Sequence, residues 1–182
     1  MSNEQNVAIP NRVESSLRHL KNNNYEEALL NLFPAIDRTA KLRRKKLGSG
    51  LRFKKFIADQ FDIVSVLGFG SLISSDCKFG GETFQHVLYQ LCRNSLVHEG
   101  ELASNMKIVS GSASIVGGNW ELSENIIFGL IIAVITAREN KKSKLSVNYQ
   151  VSFLGEMFSL NSIWGEEEVI KKKIKTIFSK LH

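Results

Sequence analysis

Cysteine and proline are both scarce in this sequence, which has two of each among its 182 residues. Cys77 and Cys92 lack the C-x-x-C spacing of a metal site, and two cysteines give no disulfide framework. We therefore expect a reducing, cytoplasmic setting. Two prolines and thirteen glycines also argue against a loop-rich β architecture.

A long hydrophobic run is missing as well. The most apolar stretch covers residues 126–137, and twelve residues fall short of the roughly twenty that a membrane-spanning helix needs. The N-terminus has no basic region followed by an apolar one, as a secretory signal would have. We expect no membrane partner, and we predict that 126–137 is a helix buried in the domain core or at a subunit interface.

Several common catalytic motifs are absent. The sequence contains no G-x-x-x-x-G-K-[ST], G-x-G-x-x-G, G-x-S-x-G or H-E-x-x-H. Its four histidines lie too far apart in the chain to form a local metal site. These absences predict a protein without a bound metal and without a cofactor.

Hydrophobic periodicity predicts one mainly α-helical domain over residues 1–182, with residues 1–12 flexible. Apolar positions recur at helical spacing from Tyr25 onward, and Pro34 should kink or split that helix. Another helix is expected over 82–97, with Gly100 as its left-handed cap. β-Branched residues around a Ser-Gly-Ser sequence predict a small β-hairpin, or a pair of short strands, near 106–118.

Positive charge is in excess, with a net charge of +6. One of the basic clusters consists of Arg52, Lys54 and Lys55, which are candidates for contacting substrate phosphates. Such clusters are often only solvated helix faces. Charge alone therefore permits a nucleic acid partner without requiring one.

The sequence RNSLVH at 93–98 ends the helix expected at 82–97. An arginine followed by an asparagine, with a histidine five positions after the arginine, resembles the R-x-x-x-x-H signature of the HEPN superfamily of helical nucleotide-binding domains. The helices upstream, with LFPAIDRTAKL and RFKKFI, extend the resemblance over residues 25–102. It implies a HEPN-like helical bundle that forms a homodimer with the two motifs facing each other.

Many active HEPN proteins are metal-independent endoribonucleases of toxin, abortive-infection or other defence systems. The resemblance thus implies an RNA-cleaving hydrolase in which Arg93, Asn94 and His98 are catalytic, and it raises the question of an antitoxin or regulatory partner. Some members paired with a nucleotidyltransferase antitoxin carry a tyrosine just after the motif histidine. Glu99, Gly100 and Glu101 follow here instead, which speaks against that form of regulation.

The residue types suit this chemistry independently of the resemblance. Histidine titrates near neutral pH and can move a proton to or from the 2′-hydroxyl of RNA. The planar fork of Arg93 can hold a phosphate, and Asn94 can orient either group. On a regular helix, however, Arg93 and His98 point about 140° apart. Convergence would need either unwinding of the helix near Val97 or a residue supplied by a two-fold partner.

Three alternatives stay open at this point. The protein could be a ribonuclease, a catalytically silent HEPN-like domain that binds nucleotide or nucleic acid, or an interaction module whose 126–137 helix is a dimer or partner surface. The alternative to a site at RNSLVH is that Arg93 is a surface ion-pair partner and that His98 caps a helix end. Asp37, next to Ile36, is expected to pair with a nearby arginine.

Overall fold

The fold is known from a computed structural model that describes residues 4–179, with side chains from residue 8. The helices are α1 (Glu4–Lys21), α2 (Tyr25–Arg43), α3 (Ser49–Asp59), α4 (Phe61–Phe69), α5 (Phe84–Val87), a π-helix (Leu88–Asn94), α6 (Ser95–His98), α7 (Asn125–Thr136) and α8 (Glu167–Phe178). Two 3₁₀ turns lie at Arg138–Asn140 and Leu160–Ser162. The strands are β1 (Lys78–Phe79), β2 (Glu82–Thr83), β3 (Met106–Val109), β4 (Ser114–Val116), β5 (Asn119–Ser123), β6 (Gln150–Phe153) and β7 (Glu156–Ser159). The predicted mainly α-helical fold is confirmed.

Helix α7 lies in the core of the domain, and ten of its twelve residues are buried. It packs closely on α4 because each helix places a glycine at the contact. A Cβ on Gly68 would lie 2.6 Å from Ile126 Cγ1, and a Cβ on Gly129 would lie 3.2 Å from the Val64 backbone. The apolar run at 126–137 is therefore a core helix, and its side chains are not available as a dimer surface.

Helices α1 and α2 form an antiparallel hairpin on one side of α7. The Ser16 hydroxyl donates a buried hydrogen bond of 2.8 Å to the Ala28 carbonyl across this hairpin. Helix α2 continues unbroken past Pro34, so Pro34 does not split it in two. Pro34 is exposed, so the carbonyl group that loses its helical partner lies on the side where water can satisfy it.

The N-terminal segment belongs to the first helix. Residues 4–12, for which flexibility was predicted, form the first half of α1, and Ile9 is 3% exposed. The prediction for residues 1–3 lies outside the described part of the chain. Helix α1 therefore contributes to the same face of the molecule as α2.

Short strands are present near 106–118, as predicted, and their pairing is more elaborate than one hairpin. Strand β3 pairs in parallel with β5, and β4 pairs antiparallel with β5, so the order is β3-β5-β4. The hairpin itself joins β4 to β5. Two further antiparallel pairs, β1-β2 and β6-β7, complete the strand content of the described chain.

The helix that carries the RNSLVH sequence contains a π-helical segment. Residues Leu88–Asn94 adopt the wider π-helical winding between the α-helical turns α5 and α6. Such segments occur often at functional sites. The helix ends at His98, and Gly100 has φ +86°, as expected of a left-handed cap. Within residues 4–179, no helix is both long enough and apolar enough to cross a membrane.

Candidate functional site

Arg93, at the end of the π-helical segment, is held by three neighbours. Its Nη2 donates to Asp37 Oδ2 at 3.0 Å, and its Nη1 donates to Asn94 Oδ1 at 3.2 Å. Its guanidinium also lies over the Tyr89 ring, 5.5 Å from the centroid. These contacts fix the guanidinium in a defined position, with the side chain 15% exposed. The expected arginine partner of Asp37 is therefore Arg93.

Tyr89 connects this arginine to α3. Its ring packs on Phe53, with centroids 5.4 Å apart, and Lys54 Nζ lies 5.7 Å from the ring centroid. Helix α3 approaches closely because Gly50 has no side chain: a Cβ there would lie 2.8 Å from the tyrosine hydroxyl oxygen. This packing brings the basic start of α3 next to the RNSLVH sequence.

Arg93 lines an open cavity of about 450 Å³ between α1, α2, α3 and the end of the π-helix. Its lining combines basic side chains with an apolar wall. The basic side chains are Arg12, Arg38, Lys41, Arg52 and Arg93, and the apolar residues are Ala8, Ile9, Pro34, Ala35 and Val97. Asp37 is the one carboxylate among the lining residues that the structure describes. Among these described residues basic side chains outnumber the acidic one, a lining that suits an anion.

The predicted phosphate-contacting residues have different positions. Arg52 lines the cavity, and its Nη1 donates to the Leu47 carbonyl at 3.3 Å. Lys54 is half-buried over Tyr89, and Lys55 is exposed; neither lines the cavity. Of the three, only Arg52 joins Arg93.

The predicted catalytic residues are only partly brought together. Asn94 Oδ1 accepts from Arg93, and its Nδ2 donates to Gln90 Oε1 at 3.1 Å, so it acts as a positioning group for the arginine. His98 is exposed and does not line the cavity, although Val97 does. The helix does not unwind near Val97, because α6 runs through His98. Within one chain, Arg93 and His98 therefore do not meet in the cavity.

Sequence reasoning missed three cavity cations: Arg12, Arg38 and Lys41. Arg12 was assigned to a flexible terminus. Arg38 and Lys41 follow Asp37 at spacings that place all three on one side of α2. That spacing could have indicated a basic side of α2. No local sequence pattern, however, indicates that α1 and α3 pack against the same side.

A second arginine, Arg43 at the end of α2, has very different surroundings. It forms ion pairs with Asp59 at 3.1 Å and Glu139 at 2.8 Å, and it also pairs with Glu167. Burial opposes the charge on Arg43, but the hydrogen bonds and charges of these carboxylates outweigh burial and raise its pKa. In turn, burial raises the pKa values of the three acids, and the arginines that pair with them outweigh it and lower those values.

Another cavity, of about 240 Å³, lies between α4, the β1-β2 pair and the β3-β5-β4 sheet. Its lining is mostly aromatic and aliphatic, with Phe69, Phe79, Phe84 and Trp120 prominent, and Glu121 is its charged member. No lysine or arginine lines it among the described residues. This cavity therefore lacks the groups that would hold a phosphate.

Comparison with known proteins gives a family match over nearly the whole chain. The model of the Rv1289 family matches residues 8–181. The chain belongs to the Rv1289 family. Similar proteins include the uncharacterised proteins Rv1289 of Mycobacterium tuberculosis strain H37Rv and Mb1320 of Mycobacterium bovis. Each is 25% identical over 179 residues, which cover 89% of this chain and 85% of the relative.

No solved structure matches the chain significantly. The region that matches the Rv1289 family model includes all the described residues that line the Arg93 cavity, from Ala8 to Val97. Kinship with the Rv1289 family is thus established over the candidate site. The resemblance to HEPN proteins stays a prediction.

Proposed function

We propose that this Rv1289-family protein is a HEPN-like RNA-binding protein of the cytoplasm, in which the Arg93 cavity holds a backbone phosphate of the RNA. The observation that carries the proposal is the cavity itself, whose described lining residues include five basic side chains from α1, α2, α3 and the π-helix and one carboxylate. Arg93 presents a fixed planar fork, which suits the oxygens of a phosphate.

The electrostatic argument rests on an imbalance of charge. Asp37 engages one guanidinium nitrogen of Arg93. Arg12, Lys41 and Arg52 form no ion pair with a described acidic side chain. Cations that share a partly enclosed cavity attract an anion more strongly than separate surface cations do, because screening by water is weaker there. An anionic ligand would supply the charge that the protein lacks at this site.

A polyanion fits better than a single small anion because the basic surface continues past the cavity. Lys45 and Lys46 are exposed in the loop whose Leu47 carbonyl accepts from Arg52. Lys55 is exposed one helical turn after Arg52. A chain of phosphates leaving the cavity along α3 would pass these lysines, and each contact would release bound counterions.

The binding proposal is tested by titrating a fluorescently labelled single-stranded RNA with the wild type, Arg93→Ala and Lys144→Ala. Lys144 is exposed and outside the cavity, so it is a charge-matched control. A hydrogen-bonded charge pair contributes about 1.5–3 kcal/mol, so Arg93→Ala should weaken binding about 10- to 150-fold. The slope of log Kd against log salt should fall by about 0.7 for one lost phosphate contact. Equal weakening by Lys144→Ala would contradict a specific site.

A second candidate function is metal-independent RNA cleavage in a homodimer, favoured by the position of His98. Its imidazole is exposed one residue after Val97, which lines the cavity, and none of the described hydrogen bonds or ion pairs involves it. In this mechanism His98 removes the proton from the 2′-hydroxyl, whose oxygen attacks phosphorus as the P–O5′ bond breaks. The 5′-oxygen takes up a proton from water, and Arg93 stabilises the charge on the phosphate oxygens.

Cleavage is tested by incubating wild-type protein and His98→Ala with tRNA and total RNA in EDTA, then mapping the product ends. Discrete products with 2′,3′-cyclic phosphates in the wild type alone would establish His98 as catalytic. Intact RNA that is nevertheless bound through Arg93 would leave the protein as a binding domain. A toxin or defence role, with an antitoxin partner, would follow only from the first result.

A further inference from the structure

Asp37 carries the opposite charge to the one that a phosphate-binding cavity needs. It lies on α2 with its side chain 22% exposed, and it is the only acid among the lining residues that the structure describes. A carboxylate repels a phosphate, so its presence lowers the affinity of the cavity for a simple anion. Either it serves only to hold Arg93, or it contacts a part of the ligand that carries a hydrogen-bond donor.

The hydrogen bonds of Asp37 leave capacity for such a donor. An ionised carboxylate has about four lone-pair sites, and Asp37 uses one of them, on Oδ2, to accept from Arg93. Oδ1 is covered and has no hydrogen-bond partner among the described residues. Oδ2 can accept from the open side of the cavity, and rotation of the carboxylate would exchange the two oxygens. The geometry thus places an anionic acceptor 3.0 Å from a phosphate-binding guanidinium.

We propose that Asp37 accepts a hydrogen bond from the ribose 2′-hydroxyl of the nucleotide whose phosphate Arg93 binds, and that this contact selects RNA over DNA. The inference rests on the proposed RNA binding. In RNA the 2′-hydroxyl is on the carbon next to the one that bears the 3′-phosphate. One ribonucleotide therefore presents a donor and an anion side by side, as the neighbouring Asp37 and Arg93 require.

DNA would be rejected for a specific reason. Deoxyribose has no 2′-hydroxyl to donate, so Asp37 would keep only its bond from Arg93, and its remaining acceptor sites would face the phosphate without a donor. Sites built to bind a hydroxyl discriminate strongly against the analogue that lacks it, because their own polar group loses its partner. The 2′-hydroxyl is also the group by which a protein distinguishes RNA from DNA.

The test compares three labelled oligonucleotides of one sequence: RNA, DNA with deoxyuridine in place of thymidine, and 2′-O-methyl RNA, which cannot donate from the 2′ position. Wild-type protein should bind RNA about tenfold or more tightly than either of the others. In Asp37→Ala the ratio of RNA affinity to DNA affinity should fall towards one, chiefly because DNA binds more tightly once the negative charge is gone. Asp76→Ala, an exposed aspartate outside the cavity, should leave the ratio unchanged.

The outcomes separate this inference from the proposed function. Equal wild-type affinity for RNA and DNA, both lost in Arg93→Ala, would overturn the role of Asp37 and keep phosphate binding. An unchanged RNA preference in Asp37→Ala would also overturn it and leave Asp37 as a positioning residue for Arg93. Absence of binding to any oligonucleotide would remove the proposed function and this inference together. If Asp37→Ala does not fold, Asp37→Asn keeps the size of the side chain and should likewise bind DNA more tightly than wild type does.

Discussion

Arg43 and Arg93 are both largely buried, yet their surroundings differ in a way that separates structure from function. Arg43 is 5% exposed and has three carboxylate partners, Asp59, Glu139 and Glu167, from three other parts of the chain. Arg93 is 15% exposed and has one carboxylate partner among the described residues, Asp37, in an open cavity that four further cations line. An arginine whose charge is fully balanced within the protein holds elements together, whereas one that is underbalanced in a cavity is suited to a ligand.

The Arg43 cluster explains how the C-terminal helix is attached. Glu167 begins α8, Glu139 lies in the 3₁₀ turn after α7, and Asp59 ends α3. Lys171 extends the cluster by pairing with Glu167 at 3.3 Å and with Asp62 at 3.6 Å. All these contacts are internal, so the cluster has no free group for substrate.

The largest expected effect on stability comes from replacing Arg43, whose charge is balanced by carboxylates. Arg43→Met leaves three partly buried carboxylates without their shared cation, which typically costs about 3–5 kcal/mol in the free energy of unfolding. Urea denaturation of the variant and wild type measures this difference. A loss below about 1 kcal/mol would show that the cluster is not a structural centre.

Acid should weaken the same cluster by a smaller amount. Because the pKa values of Asp59, Glu139 and Glu167 are lower in the folded than in the unfolded protein, their contribution to stability is complete above the unfolded values of 3.8 to 4.5. It is lost as the pH falls through the lower folded values. Urea denaturation at a series of pH values should show this loss in wild type and a flatter profile in Arg43→Met. Parallel profiles of stability against pH in the two proteins would contradict the claim that Arg43 lowers the pKa values of these acids.

The smallest effect on stability is expected at Arg93. Arg93→Met removes a single, partly exposed ion pair and keeps the packing of the side chain on Tyr89, so the free energy of unfolding should fall by about 1 kcal/mol or less. The same denaturation experiment measures it. A loss as large as that of Arg43→Met would mean that Arg93 is mainly a structural residue.

The two arginines also show what the sequence could predict. Local patterns were sufficient for the helix beginning at Tyr25, for the buried 126–137 helix and for the cap at Gly100, because these depend on periodicity and backbone conformation. The pairing of Asp37 with an arginine was expected, but its identity was not, since Arg93 lies 56 positions away in the chain.

Features that depend on tertiary packing could not be predicted. The parallel pairing of β3 with β5 and the π-helical winding at Leu88–Asn94 have no short sequence signature. The cavity gathers Arg12, Lys41 and Arg52 from three helices, and only their packing on one another shows that these charges share one site. His98 shows the opposite case: it is close to Arg93 and Val97 in the sequence, yet it does not line the cavity that they line.

The contrast between a structural Arg43 and a ligand-binding Arg93 is tested most directly by thermal unfolding. The experiment compares wild type, Arg93→Met and Lys144→Ala with and without single-stranded RNA. A ligand that binds only the folded state raises the Tm. The account predicts that Arg93→Met unfolds near the wild-type temperature without RNA and gains little when RNA is added, while wild type and Lys144→Ala are both stabilised. An equal rise in Tm for Arg93→Met, or no rise in wild type at saturating RNA, would contradict the claim that Arg93 holds an RNA phosphate.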